Sequence, residues 1–333
     1  MWEAVLDSKV ELVVASGKGG VGKSTVTSSL AIVAAEHGYK MVAADADAEA
    51  PNLHIVLGVD SWDREEPYYE GRVAYILEDK CTNCGICAEV CPLGAVEEKG
   101  GKYWINPFIC EGCITCSINC PEHAIRYKHR VQAGWIRLRE KTKYGFPLVS
   151  GEITPGRPNS GKLVTEVKNY ASKVLGGEGL LLVDAAAGIG CQVISSLTGA
   201  HLAVLVTEPT PAGFSDLQRI HRLTKHFMIA PMLVINKYDI NEEFIGTIEE
   251  YARAENIPIV GRIPYDPAVP KSMAKGVPVI EAYPNSPASK ALKEVSEKIA
   301  GEILPKWREF RSKYKPRKPE PYIPLILHDT SRG

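Results

Sequence analysis

The sequence predicts an α/β fold: a doubly wound, mostly parallel sheet flanked by helices, with a small α+β module inserted into it. Three observations carry this. Short β-branched apolar runs alternate with helical stretches along most of the chain; the first run feeds directly into a glycine-rich turn and a helix; and eight of the nine cysteines crowd between Cys81 and Cys120. At 333 residues the chain is longer than one average domain, so a main body with a smaller module is expected.

The run Val10–Ala15 reads as a buried strand. It delivers Gly17-Lys18-Gly19-Gly20-Val21-Gly22-Lys23-Ser24-Thr25, and a helix is expected from about Ser24 to Glu36. Glycines let successive N–H groups turn inward on phosphates, and the helix N-terminus adds partial positive charge. Lys23 is expected on the β- and γ-phosphates of ATP, and Ser24 on Mg²⁺. A second G-x4-G-K string, Gly156 to Lys162, is rejected. Leu163 stands where the metal-binding hydroxyl belongs, Pro158 interrupts the loop, and Leu148–Thr154 reads as no convincing central strand. That string is expected instead to cap a helix beginning near Lys162.

Further runs end in candidate site residues. Lys40–Ala44 leads to Asp45-Ala46-Asp47, and Gly179–Val183 leads to Asp184, with Gly188 and Gly190 behind it. Leu202–Val206 leads to Thr207-Glu208-Pro209, and Pro231–Ile235 leads to Asn236-Lys237-Tyr238-Asp239. Carboxylates at strand ends suit hard cations and water.

Lys18 distinguishes the glycine-rich loop, because a plain phosphate loop needs no particular side chain there. With it the chain resembles the MinD/ParA, arsenite-pump ATPase and nitrogenase iron-protein group of P-loop NTPases, whose loop reads K-G-G-x-G-K-[ST]. The resemblance covers Val10 to about Ile299, including the N-S-G-K-L-V wording at 159–164. It implies an ATP-sandwich homodimer in which Lys18 reaches the partner subunit's nucleotide. It also implies that Asp47 orients or activates the attacking water, that Asp45 and Asp184 support the Mg²⁺ shell, and that Gly188 offers its N–H to the γ-phosphate. Asn236 is implied at the adenine, with Pro264 and Asp266 in the loop covering it; Asp239 has no assigned role. Ala185-Ala186-Ala187 departs from the family by lacking its proline two residues after the aspartate, so a looser loop is expected there.

The eight clustered cysteines form a duplication. Cys81, Cys84, Cys87 and Cys91-Pro92 recur 29 residues later as Cys110, Cys113, Cys116 and Cys120-Pro121. C-x2-C-x2-C-x3-C-P is the bacterial ferredoxin spacing. It implies two [4Fe-4S] clusters, one on Cys81, Cys84, Cys87 and Cys120, the other on Cys110, Cys113, Cys116 and Cys91. Zinc is the competing reading, since C-x2-C pairs also build tetrahedral sites, but eight cysteines in duplicated spacing argue for cubanes. The module is expected over 73–130, reached through a linker from Gly58 to Arg72 and projecting from the carboxyl edge of the sheet. The ATPase body then comprises 1–72 and 131–304, and 305–333 is a basic, proline-rich tail.

Formal net charge of −1 gives no general reason to expect nucleic acid or a membrane surface as partner. No signal peptide or apolar run of membrane length is read, so the expected location is cytoplasmic, where nine cysteines should not be disulfides. Cys191 is expected to be a small buried residue, and the cluster around Trp307, Phe310 and Tyr314 a solvated basic helix end. The leading expectation is ATP-gated electron transfer to an unknown redox protein. An iron-sulfur carrier ATPase, or a redox-sensing regulatory ATPase, is the alternative.

Overall fold

The computed structural model describes residue 6, residues 8–155 and residues 161–316. Most of the rejected 156–162 string and the tail beyond Pro316 therefore lie outside the described residues. The strands are β1 (Lys9–Ser16), β2 (Met41–Ala46), β3 (Arg64–Ile76), β4 (Val96–Lys99), β5 (Lys102–Ile105), β6 (Ile125–Arg139), β7 (Leu148–Ile153), β8 (Gly179–Ala187), β9 (Leu202–Thr207), β10 (Ala230–Asn236) and β11 (Ile259–Ile263). Nine of them form one sheet in the order β11-β10-β9-β1-β8-β2-β7-β6-β3. Every pairing from β11 to β7 is parallel; β6 and β3 close the edge antiparallel. The mostly parallel α/β architecture expected from the sequence is present.

The central strands are apolar at nearly every position because both faces are covered. Along β1, Val10, Leu12 and Val14 join a core under the helices Lys23–Glu36 and Pro287–Glu297. Val13 and Ala15 point the other way, into a core under Gly161–Leu175, Pro211–His226 and Glu242–Ala254.

Two segments of the sheet differ from expectation. Leu148–Ile153 is an inner strand, seated between β2 and β6. Its Ser150-Gly151 weakens the strand pattern but serves packing, since a Cβ on Gly151 would lie 2.5 Å from Val167 of the covering helix. The expected linker Gly58–Arg72 is largely strand β3, whose polar REEPYYEG run suits an exposed edge. Its register against β6 runs from Arg64↔Leu138 to Ile76↔Ile125, with a bulge between Tyr68 and Tyr69.

That ribbon positions the cysteines. β6 pairs with β7 only from Arg139↔Leu148 to Gly134↔Ile153, and Ile153 is the carboxyl end of its parallel strand. The remainder, Ile125 to Ala133 with its β3 partners, runs roughly 25 Å past the carboxyl edge of the sheet. Around its outer half lie the β4–β5 hairpin and a small cluster of Ala74, Cys87, Val96, Ile105, Cys116 and Ile125. At the opposite end of the body, the helix Trp307–Tyr314 is no merely solvated end: Trp307 is buried, and Phe310 and Tyr314 pack on the core. Among the described residues no helix is long and apolar enough to cross a membrane.

Candidate functional site

The glycine loop joins β1 to the helix Lys23–Glu36 at the carboxyl edge of the sheet. Gly20 and Gly22 sit at φ 75° and 95°, in the left-handed region that a side chain would strain. Gly17 is required by crowding: a Cβ there would stand 2.4 Å from the Asp216 carbonyl oxygen. Neighbouring strands clamp the loop. Asn236 Nδ2 donates to the Val21 carbonyl at 2.7 Å, and Lys237 Nζ donates to the Gly20 carbonyl at 3.0 Å. Lys18 is ion-paired with Glu208, which lies 3.4 Å from Lys237 as well. The sequence places Glu208 and Lys237 at strand ends but cannot join them to Lys18, which they follow by about two hundred residues; only the strand order β10-β9-β1 brings them in.

Three acids face the start of that helix. Asp45 and Asp184 sit directly opposite one another on β2 and β8, both fully or almost fully buried. The Thr27 hydroxyl donates to Asp184 Oδ1 at 2.9 Å, and the Ser24 hydroxyl bonds the same carboxylate. Asp45 accepts from the Leu53 N–H at 2.9 Å and the Asp47 N–H at 3.2 Å. Burial pushes both pKa values up, and the Asp184 charge raises Asp45 further. Asp47, at the edge, is also raised by burial, while the nearby Lys23 ammonium pulls it down. Two opposed buried carboxylates beside a serine hydroxyl form an oxygen donor set that fits Mg²⁺, which would relieve their mutual repulsion.

The missing proline after Asp184 does not loosen the chain. Strand β8 continues to Ala187, with Ala185 opposite Ala46 and Ala187 opposite Ser16; Ala185 and Ala186 are buried and Ala187 is exposed. Gly188 follows at φ 97°, and its N–H donates to the Ser16 carbonyl at 3.1 Å. That N–H is therefore engaged within the chain, and offering it to a phosphate requires the turn to move. Gln192, in the next helix Cys191–Leu197, accepts from the Ala48 N–H at 3.2 Å. The Ala48 carbonyl accepts from Ile153 at 2.8 Å, and Thr154 donates to the Ala133 carbonyl at 2.9 Å. Hydrogen bonds through the Gln192 side chain and the backbone of Ala48, Ile153 and Thr154 thus join both acid-bearing turns to the base of the β3–β6 ribbon. Cys191 is exposed rather than buried, since it opens the short helix at the rim.

The loops expected around a base are tied together, with altered roles. Asn236 spends its amide on Val21, as above, and its Oδ1 accepts from the Lys237 N–H at 2.9 Å. Asp266 accepts from the N–H groups of Ala268 (2.8 Å) and Ala288 (3.1 Å), capping two helices. Burial would raise its pKa, but those two N–H groups hold it below the ordinary carboxylate value. Pro264 lies between β11 and this capped turn, whose Tyr265 N–H donates to Asp239 at 2.6 Å. Asp239 thereby acquires a role the sequence did not give it.

The eight clustered thiols are sorted four and four. Cys81, Cys84, Cys87 and Cys120 line one cavity; Cys91, Cys110, Cys113 and Cys116 line the other. The two are small and near-equal in size. Backbone N–H groups point at the sulfurs in duplicate: Asn83 to Cys81 and Gly112 to Cys110 at 3.4 Å, Ala95 to Cys91 at 3.2 Å and Ala124 to Cys120 at 3.3 Å. Ala74 of β3 adds a bond to Cys110 at 3.4 Å. Among the described residues no three His, Cys, Asp or Glu side chains converge on a single metal-ion position. Four thiols around each cavity, with amides aimed at sulfur, are a donor set that fits an iron-sulfur cluster.

A strand, a lysine-bearing glycine loop, a helix and two buried strand-end aspartates define a P-loop nucleotide-binding protein. The chain belongs to the CobQ/CobB/MinD/ParA nucleotide binding domain family, whose model matches residues 12–279; the family's members are nucleotide-hydrolysing ATPases. It is 33% identical to the uncharacterized protein MJ0578 of Methanocaldococcus jannaschii, over 87% of this chain and 96% of that one. It is 25% identical to an iron-sulfur cluster carrier protein of Pyrococcus horikoshii, over 89% of this chain and 87% of the other. Among solved structures, the septum site-determining protein MinD of Pyrococcus horikoshii, complexed with Mg-ADP, superposes with a TM-score of 0.54. At 20% identity over 89% of this chain and 98% of that one, this is a likeness of fold.

Proposed function

We propose that this chain is an ATP-hydrolysing iron-sulfur protein in which nucleotide-driven closure of a homodimer governs electron transfer through two [4Fe-4S] clusters to a redox protein partner. The supporting observation is the sorting of eight thiols around two cavities on a ribbon continuous with the sheet that carries the glycine loop. In this reading 1–72 and 131–304 form the ATPase, 73–130 the ferredoxin module and 305–333 a basic tail.

The loop N–H groups and Lys23 bind the phosphates of ATP, and Lys18 serves the partner subunit's nucleotide. Ser24, with Asp45 and Asp184 behind it, would hold Mg²⁺, which when bound neutralises phosphate charge. Asp47 orients the attacking water and holds its proton, a task that its raised pKa suits. Asn236 and the 264–266 turn shape the base end of the pocket. The cysteine sets would hold the clusters, which supply one-electron chemistry when bound. Motion at Gly188 or Asp47 has a route outward through Gln192, Ala48, Ile153, Thr154 and Ala133. This hydrogen-bonded route runs beside the covalent connection through β3.

The test is anaerobic purification, an iron count of about eight per chain, and cluster EPR and midpoint potential with ATP, with ADP and without nucleotide. Nucleotide-dependent shifts are expected, and identical spectra in all three states would sink the coupling. The name of the Pyrococcus horikoshii relative favours a second reading, cluster delivery. Transfer of iron to an apo-acceptor under mild chelation distinguishes it, because an electron-transfer protein keeps its iron.

A further inference from the structure

Lys18 is held inside its own subunit. Its ammonium is ion-paired with Glu208, whose side chain is only 11% exposed. Glu208 is seated where β9 ends beside the glycine loop, and its carbonyl accepts from the Thr210 N–H at 2.8 Å. Its second oxygen lies 3.4 Å from Lys237, and Lys237 is anchored on the Gly20 carbonyl of the same loop. A buried carboxylate is therefore shared between two lysines of like exposure, 32% for Lys18 and 31% for Lys237, of which Lys237 has the further anchor on Gly20.

We propose that Glu208 is a latch for Lys18: it parks the lysine on its own subunit until the triphosphate of a second copy draws it away, and so sets the threshold for ATP-dependent dimerisation. The proposal rests on the homodimer reading above. The arrangement suits exchange rather than permanent pairing. When Lys18 leaves, Glu208 keeps Lys237, so no buried charge is stranded, and the usual large penalty for breaking a buried pair is avoided. Burial alone would raise the Glu208 pKa, but the Lys18 hydrogen bond and the Lys237 charge bring it below the ordinary value, so the latch is set at neutral pH. A triphosphate carries more charge and more acceptor oxygens than a carboxylate, and so can compete with Glu208 for the same ammonium.

The experiment is sedimentation of the full chain, prepared anaerobically, with a non-hydrolysable ATP analogue across a range of protein concentrations. Glu208→Gln should lower the half-dimerisation concentration roughly 5–30-fold. In a Lys18→Ala background, adding Glu208→Gln should change nothing, which a merely structural role for Glu208 would not produce. Glu208→Asp, shorter but charged, should shift the midpoint less and in the same direction, and it serves if the glutamine variant folds poorly. No shift with either variant, a shift to higher concentration, or an equal shift without Lys18 overturns the latch. Failure of every form to dimerise while still binding the analogue overturns the homodimer reading itself, and the latch with it. Dimerisation of the glutamine variant alone upholds both.

Discussion

Lys168 offers a sharp test of how the helix Cys191–Leu197 is held. Its ammonium is buried among four oxygens: the carbonyls of Ser195 (3.1 Å), Ser196 (2.7 Å) and Thr198 (2.6 Å), and Glu11 Oε1 at 2.6 Å. The Glu11 contact is an ion pair by distance without hydrogen-bond alignment. Burial pulls the Lys168 pKa down and Glu11 opposes it. The lysine thus fastens the end of the Cys191–Leu197 helix to β1, the strand that feeds the glycine loop. Lys168→Met strands a buried carboxylate and leaves three carbonyls unmet, which should cost roughly 3–5 kcal/mol. Pairing it with Glu11→Leu removes the stranded charge and should recover about half of that. Urea unfolding followed by circular dichroism measures both values. Hydrogen exchange should rise first across Cys191–Thr198, since the carbonyls stay unmet in both variants. If the single variant is no worse than the double, or that helix exchanges no faster, the ammonium is not the fastener.

Gly17→Ala should lower the melting temperature and weaken nucleotide binding at least tenfold, because its Cβ would meet the Asp216 backbone at 2.4 Å; overpacking of that kind costs about 1–3 kcal/mol. Gly19→Ala, with nothing nearer than 3.9 Å, should melt with the wild type in the same calorimetric scan. Cys120→Ser should remove the cluster of Cys81, Cys84 and Cys87, taking iron from about eight to about four per chain. Adding Cys84→Ser should cost no more iron, whereas adding Cys113→Ser should remove the rest; the reverse pattern would mean that each loop binds its own cluster. His221 is buried against the Tyr251 hydroxyl at 2.8 Å, and burial drives its pKa down to about 4. The unfolded chain, with an ordinary histidine, takes up that proton first. Stability is therefore full above about pH 6.5 and is lost as pH falls towards 4, by about 3 kcal/mol in all. His221→Phe should flatten this part of the pH–stability curve, and an unchanged slope would assign the acid sensitivity elsewhere.

The parts of the site that were legible in the sequence are those whose chemistry demands fixed local spacing. A phosphate cradle needs its glycines, Lys23 and Ser24 in one turn, and each thiol loop needs its cysteines three apart, so both survive reading without a fold. What the sequence concealed is made by strands far apart in the chain. Glu208 and Lys237 meet Lys18 only through the order of β9, β1 and β10. Gln192 reaches Ala48 only because its helix lies over the ends of β2 and β8. Strand signals failed where tertiary packing outweighed propensity: β7 carries Ser150-Gly151 so that a helix can come close, and β3 is polar because it is an edge. Asp266 illustrates a third limit, since an acid in the right loop can be consumed by capping.

The β3–β6 ribbon also determines how the cysteine loops can travel. Between the body and the thiols the ribbon carries the bulge at Tyr68–Tyr69 and, two residues on, Gly71 in the left-handed region at φ 69°. A twist of about 5° at its root would swing the far tip by about 2 Å, over the roughly 25 Å of unsupported arm. The arm therefore works as a lever on the sheet: a small rotation at its root reaches the sulfur-lined tip enlarged by the arm's length.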